Sequence, residues 1–144
     1  VHFITGGAFN GKKAWVKKTY RVTKDDPWIS AYKNDLIPIN LNGIDRNLII
    51  LEGAEQWIKK LTEIHNSTKS RELWNHYLNQ WSSWEKEKPE RQIVVIGTDI
   101  TKGIVPLEAE NRLWRDVTGW AFQDLAAKSD KIDVIWYGIN QSIK

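Results

Sequence analysis

The chain has 144 residues, 41% hydrophobic and 27% charged, which is the balance of a folded globular domain and not of a disordered tail. It contains no cysteine, so disulfides, thiolate metal sites and a cysteine nucleophile are excluded. The net charge is +3 with a pI near 9.1, but the lysines fall in scattered pairs (Lys12-Lys13, Lys17-Lys18, Lys59-Lys60), and a solvated surface is the expectation, not a nucleic-acid interface.

The opening reads strand, glycine-rich turn, helix. His2 to Thr5 is a short apolar run, Gly6-Gly7-Ala8-Phe9-Asn10-Gly11 is the turn, and Lys12 to Tyr20 follows with helical composition. A strand is expected from Trp28 to Tyr32, and a weaker one over Pro38-Ile39-Asn40-Leu41, where proline limits pairing. Asn47 to Leu51 is a continuous apolar run, the pattern of a strand buried on both faces. Ala54, Trp57, Ile58, Leu61 and Ile64 then recur at helical spacing, and Asn66-Ser67-Thr68 breaks that helix. Arg71 to Lys88 predicts a further helix with Leu73, Trp74, Tyr77, Leu78, Trp81 and Trp84 on one broad face, stopped by Pro89. Ile93 to Gly97 is another buried strand, Leu107 to Lys128 a long helix, Ile132 to Tyr137 a last major strand, and Gln141 to Lys144 an edge.

Strands alternating with helices predict an α/β three-layer fold, a single domain over 1–144, with a mostly parallel central sheet and helices on both faces. The nine tryptophans mostly fall in amphipathic periods, which assigns them to the core or to subunit contacts. His65 and His76 read as surface residues; Glu72 and His76 are one helical turn apart, but two ligands make a poor metal site. With no leader-like or membrane-spanning run, the cytoplasm is the expected compartment.

The sharpest chemical signal is Gly6-Gly7-Ala8-Phe9-Asn10-Gly11-Lys12-Lys13, which fits G-x-x-x-x-G-K between a strand and a helix. Glycines let the backbone wrap phosphate oxygens, the helix N-terminus adds positive potential, and Lys12 reaches the outer phosphates. The pattern's next residue is Ser or Thr, whose hydroxyl ligates Mg²⁺; here it is Lys13, whose ammonium has only donors. Water in that position, weak metal dependence and lost catalysis are all compatible with this. Glu52, at the end of a buried strand, is placed either to hold Mg²⁺ through water or to accept N–H groups at the next helix start.

Gly97-Thr98-Asp99-Ile100-Thr101-Lys102-Gly103-Ile104-Val105-Pro106 follows a strand and leads into Arg115-Asp116, Gly119 and Gln123. Together with Thr5-Gly6-Gly7-Ala8 and Gly11-Lys12, and with Leu51-Glu52, it resembles the adenosylcobinamide kinase / adenosylcobinamide-phosphate guanylyltransferase family of cobalamin biosynthesis. The resemblance implies a P-loop NTPase-like fold, ATP or GTP as phosphoryl donor, a corrinoid acceptor, Mg²⁺ and a homo-oligomer, a trimer in that family. It implies Lys12, Glu52 and Asp99 as the catalytic set and Gly103, Ile104, Val105 and Pro106 as a substrate loop. The family's histidine nucleophile has no counterpart, since no histidine lies between His2 and His65, so phosphoryl transfer is carried over and guanylyl transfer is not. Phe122 stands where the family has an asparagine, at a position expected to touch ligand. A nucleotide- or corrinoid-binding protein without turnover is the alternative reading.

Overall fold

The computed structural model describes residues 1–101 and 106–144. Six strands form one sheet among them: β1 (His2–Gly6), β2 (Trp28–Ser30), β3 (Leu48–Glu52), β4 (Gln92–Thr98), β5 (Lys131–Trp136) and β6 (Ile139–Ser142), in the spatial order β2-β3-β4-β1-β5-β6. Every pairing is parallel except β5 with β6. The helices are α1 (Lys12–Thr19), α2 (Ala54–Ile64), α3 (Ser67–Lys86) and α4 (Ala109–Lys128). No helix among the described residues is long and apolar enough to cross a membrane.

The side-chain alternation of the strands sorts the apolar runs into two cores. Phe3, Ile49, Leu51, Ile93, Val95 and Ile132 face one side, under Trp57, Ile58, Trp74, Leu78, Trp81, Val117, Ala121 and Leu125 of α2, α3 and α4. Ile4, Ile50, Val94, Ile96 and Ile135 face the other, against Val16 of α1 with Trp15, Tyr20, Val22 and Trp28 around it. Helices on both faces were expected; their division, three against the short α1, was not legible in the sequence. The thinner side is closed at its lower end by a polar cluster. His2 shares hydrogen bonds of 2.5 Å with both Tyr20 and Asp133, and the Asn140 amide donates to Asp133 at 3.0 Å.

Several element boundaries differ from expectation. Pro38 to Leu41 is not a strand: the Pro38 carbonyl accepts the Trp81 indole N–H at 2.8 Å and Leu41 is buried, so the segment lies over α3. The strand beginning at Trp28 ends at Ser30, whose hydroxyl accepts the Tyr32 N–H and starts a 3₁₀ turn, Ala31–Lys33. Asn66 does not merely break a helix but caps the next one, its side-chain oxygen accepting the Lys69 N–H at 2.8 Å, so α3 starts at Ser67. The helix expected from Leu107 starts at Ala109, and the edge expected at Gln141 to Lys144 is β6.

Trp57, Trp74, Trp81 and Trp84 are buried, and the first three each give the indole N–H to a backbone carbonyl. They are core residues, which removes α3 as an exposed aromatic face for subunit contact. Trp74→Phe keeps most of the apolar contact but removes the indole N–H that adds a second donor, at 2.9 Å, to the Ala121 carbonyl of α4. A loss of about 0.5–1.5 kcal/mol is expected in urea unfolding; an unchanged midpoint would show that this hydrogen bond contributes nothing.

Candidate phosphate-binding site

The turn after β1 is held from both sides. Gly6 has φ 143°, and a Cβ there would lie 2.4 Å from the Ile135 carbonyl oxygen of β5. Gly11, with φ 88°, precedes α1 as its N-cap; a Cβ there would lie 3.2 Å from the Gly138 Cα. Between them Phe9 takes a left-handed conformation and is fully exposed, and the Asn10 carbonyl accepts the Gly138 N–H at 2.8 Å. The β5–β6 connection thus braces the turn, a contact that no local sequence pattern announces.

Lys12 begins α1 and is buried, its ammonium donating to the Gly7 carbonyl at 2.7 Å and to that of Gly6 at 3.5 Å. Burial pulls its pKa below the ordinary lysine value, against the opposing pull of the Glu55 and Glu52 carboxylates. A cavity of about 780 Å³ opens beside it, lined by Ala8 to Ala14, by Lys17, and from across the sheet by Tyr32, Glu52, Glu55 and Thr98. Its size suits a small-molecule ligand, and it lies beyond the carboxyl ends of β1, β3 and β4, where ligands of open α/β sheets bind.

Glu52 ends β3 with its Oε1 accepting the Ser30 hydroxyl at 2.8 Å and the Trp28 indole N–H at 3.1 Å. Glu55, which the sequence reading passed over, is 2% exposed. Its Oε1 accepts the Thr98 N–H at 2.8 Å and its Oε2 the Tyr32 hydroxyl, joining α2, β4 and the 3₁₀ turn at the cavity wall. Burial and the adjacent Glu55 push the Tyr32 phenol well above its usual pKa. The only local hint of Glu55 was an acidic residue in the first turn of α2, after Gly53.

The other expected site residues are distributed unevenly. The Asp99 N–H donates to the Gly6 carbonyl at 2.9 Å, so Asp99 adjoins the turn, but its carboxylate accepts the Thr101 N–H and hydroxyl, and the cavity wall is formed by its neighbours Thr98 and Ile100. Gly103, Ile104 and Val105 lie outside the described residues; Pro106 is described, and its carbonyl accepts from Arg112 at 3.1 Å, away from the cavity lining. Phe122 is not among the residues that line the cavity. It packs edge-to-face on Phe3 and sits over Gly97, where a Cβ would come within 2.6 Å of its ring.

A braced glycine turn leading from the central strand of a parallel sheet into a helix that starts with a buried lysine belongs to an α/β fold of the P-loop NTPase-like kind. The sequence profile of the cobinamide kinase / cobinamide phosphate guanyltransferase family matches residues 20–143, and the chain belongs to that family. It is thereby placed among nucleotide-using enzymes of cobalamin biosynthesis. The match starts after the glycine turn, so Gly6 to Lys13 stands on its own residues and geometry. No curated protein matches the chain.

Gly6→Ala tests the brace. Its Cβ would press on the backbone of β5 in a conformation that L side chains rarely adopt. A stability loss of about 1–3 kcal/mol in chemical denaturation is expected; a neutral substitution would mean that the turn is free to shift.

Proposed function

We propose that this cavity binds a nucleoside triphosphate, ATP or GTP, on the turn Gly6-Gly7-Ala8-Phe9-Asn10-Gly11 and Lys12, and transfers its γ-phosphoryl group to a hydroxyl of cobinamide or a related corrinoid. The observation that carries this reading is the convergence of the braced turn, the buried Lys12 and the carboxylates Glu52 and Glu55 on one cavity. Lys12 leaves the Gly6 and Gly7 carbonyls for the β- and γ-phosphates, and the amides at the start of α1 neutralise charge that develops on the transferred group. The acceptor oxygen bonds to the γ-phosphorus, the bond to the bridging oxygen breaks, and Asp99 orients the acceptor hydroxyl and takes its proton. Residues 103–106 are assigned to the acceptor side.

The Mg²⁺ that the resemblance implies, with Glu52 as its partner through water, meets a poor donor set. Position 13 offers an ammonium where a hydroxyl would ligate, and one of the two Glu52 carboxylate oxygens, Oε1, already accepts two hydrogen bonds. No step above depends on the ion. The chain has no histidine in the segment that carries the family's nucleophile, so the group transferred is phosphoryl and not guanylyl. A homo-oligomer, a trimer by resemblance, is part of the same reading; the exposed apolar residues Trp136, Tyr137, Ile139 and Ile143 of the β5–β6 edge offer a surface for it. Cytoplasmic location also remains part of the proposal.

Calorimetric titration with ATP and GTP tests the cradle: Lys12→Ala should weaken binding about tenfold or more, and equal affinity in the variant would refute it. Because burial lowers the Lys12 pKa, its charge is lost at a lower pH than that of a surface lysine. Affinity should therefore fall as pH rises through that lowered value and be diminished before pH 10.5; a flat profile up to that pH would separate Lys12 from the phosphates. Asp99→Asn should cut phosphorylation of cobinamide about 100-fold or more while leaving nucleotide affinity within about threefold. Tight nucleotide binding with no transfer by the wild type would instead establish the binding protein without turnover.

A further inference from the structure

Lys13 does more than remove a metal ligand. Lys13 and Lys17 stand one turn apart on α1, both exposed and both lining the cavity. Their ammonium groups lie 5.4 Å and 5.6 Å from the centroid of the same ring, that of Trp28. Trp28 is itself fixed, its indole N–H donating to Glu52 Oε1 at 3.1 Å, while the Ser30 hydroxyl occupies the same oxygen at 2.8 Å. One oxygen of the carboxylate placed to receive a metal's waters, Oε1, therefore anchors an indole, and the indole carries two cations at the rim of the cavity.

We propose that the cavity takes its nucleoside triphosphate free of a divalent cation, with Lys13 and Lys17 supplying the two positive charges that a magnesium ion would bring. This rests on the nucleotide reading above. A cation over an aromatic face is held loosely, so both ammoniums are free to swing from Trp28 to phosphate oxygens when ligand enters. With Lys12 they set three positive charges against the wall carboxylates Glu52 and Glu55, which leaves the cavity net positive toward a tetra-anionic triphosphate. Glu52 acts here as a positioning residue, through Trp28.

The test is calorimetry with ATP and GTP, in EDTA and in excess Mg²⁺, on the wild type, Lys13→Ser and Lys17→Ala. All three proteins should fold alike, since both lysines are exposed; thermal melts check this. The wild-type Kd in EDTA should lie within about threefold of its value in Mg²⁺. In EDTA both variants should bind about tenfold more weakly, and Lys13→Ser, which restores a hydroxyl ligand, should regain affinity when Mg²⁺ is added. Wild-type binding about tenfold tighter with Mg²⁺, or variants unaffected in EDTA, would overturn the lysine substitution while leaving the nucleotide reading intact. Failure of the wild type to bind either nucleotide under both conditions would overturn the nucleotide reading, and this inference with it.

Discussion

The site depends on a steric constraint at the end of β1. A strand flanked on both sides by parallel neighbours must leave the sheet over one of them, and at Gly6 the chain passes so close to the Ile135 carbonyl that only a residue without a side chain fits. From there the turn is pinned a second time, by the hydrogen bond between Asn10 and Gly138. The direction of α1, the burial of Lys12 and the opening of the cavity all follow from that path. The β5–β6 hairpin, which holds no proposed catalytic group, thus fixes the backbone that carries the proposed phosphate-binding groups.

Charge placement follows the same geometry. The strand order brings the ends of β3 and β4 beside β1, so Glu52 and the Thr98 amide face the turn from one side. Glu55 then closes the wall by accepting from Thr98 and Tyr32 at once. These carboxylates offset the desolvation of Lys12, which keeps a buried cation tolerable in the unliganded protein. Lys13 and Lys17 sit at the mouth of this site and not inside it, which makes them adjustable.

The parallel strands were legible in the sequence because burial on both faces leaves continuous apolar runs, as in Leu48 to Leu51 and Ile93 to Ile96. The glycine turn after β1 was legible because its glycines are spaced for one backbone path. What escaped was contact between distant segments. Pro38 to Leu41 has the composition of a strand, but its carbonyl serves Trp81, which is 43 residues away. Glu55 looked like an ordinary helix-start acid, and its partner Thr98 is also 43 residues away. Phe122, read as a lost ligand contact, fills the space over Gly97; the small residue and the large ring compensate each other across the core. The fold sets Asp99 beside the turn through its N–H, with its Oδ1 accepting from Thr101.

A crystal structure with a non-hydrolysable triphosphate analogue tests the central claim most directly. The account predicts the β- and γ-phosphates against the amides of Gly7 to Lys13, with the Lys12 ammonium moved from the Gly6 and Gly7 carbonyls onto phosphate oxygen. A nucleotide bound elsewhere on the chain, with Lys12 still folded onto those carbonyls, would contradict it.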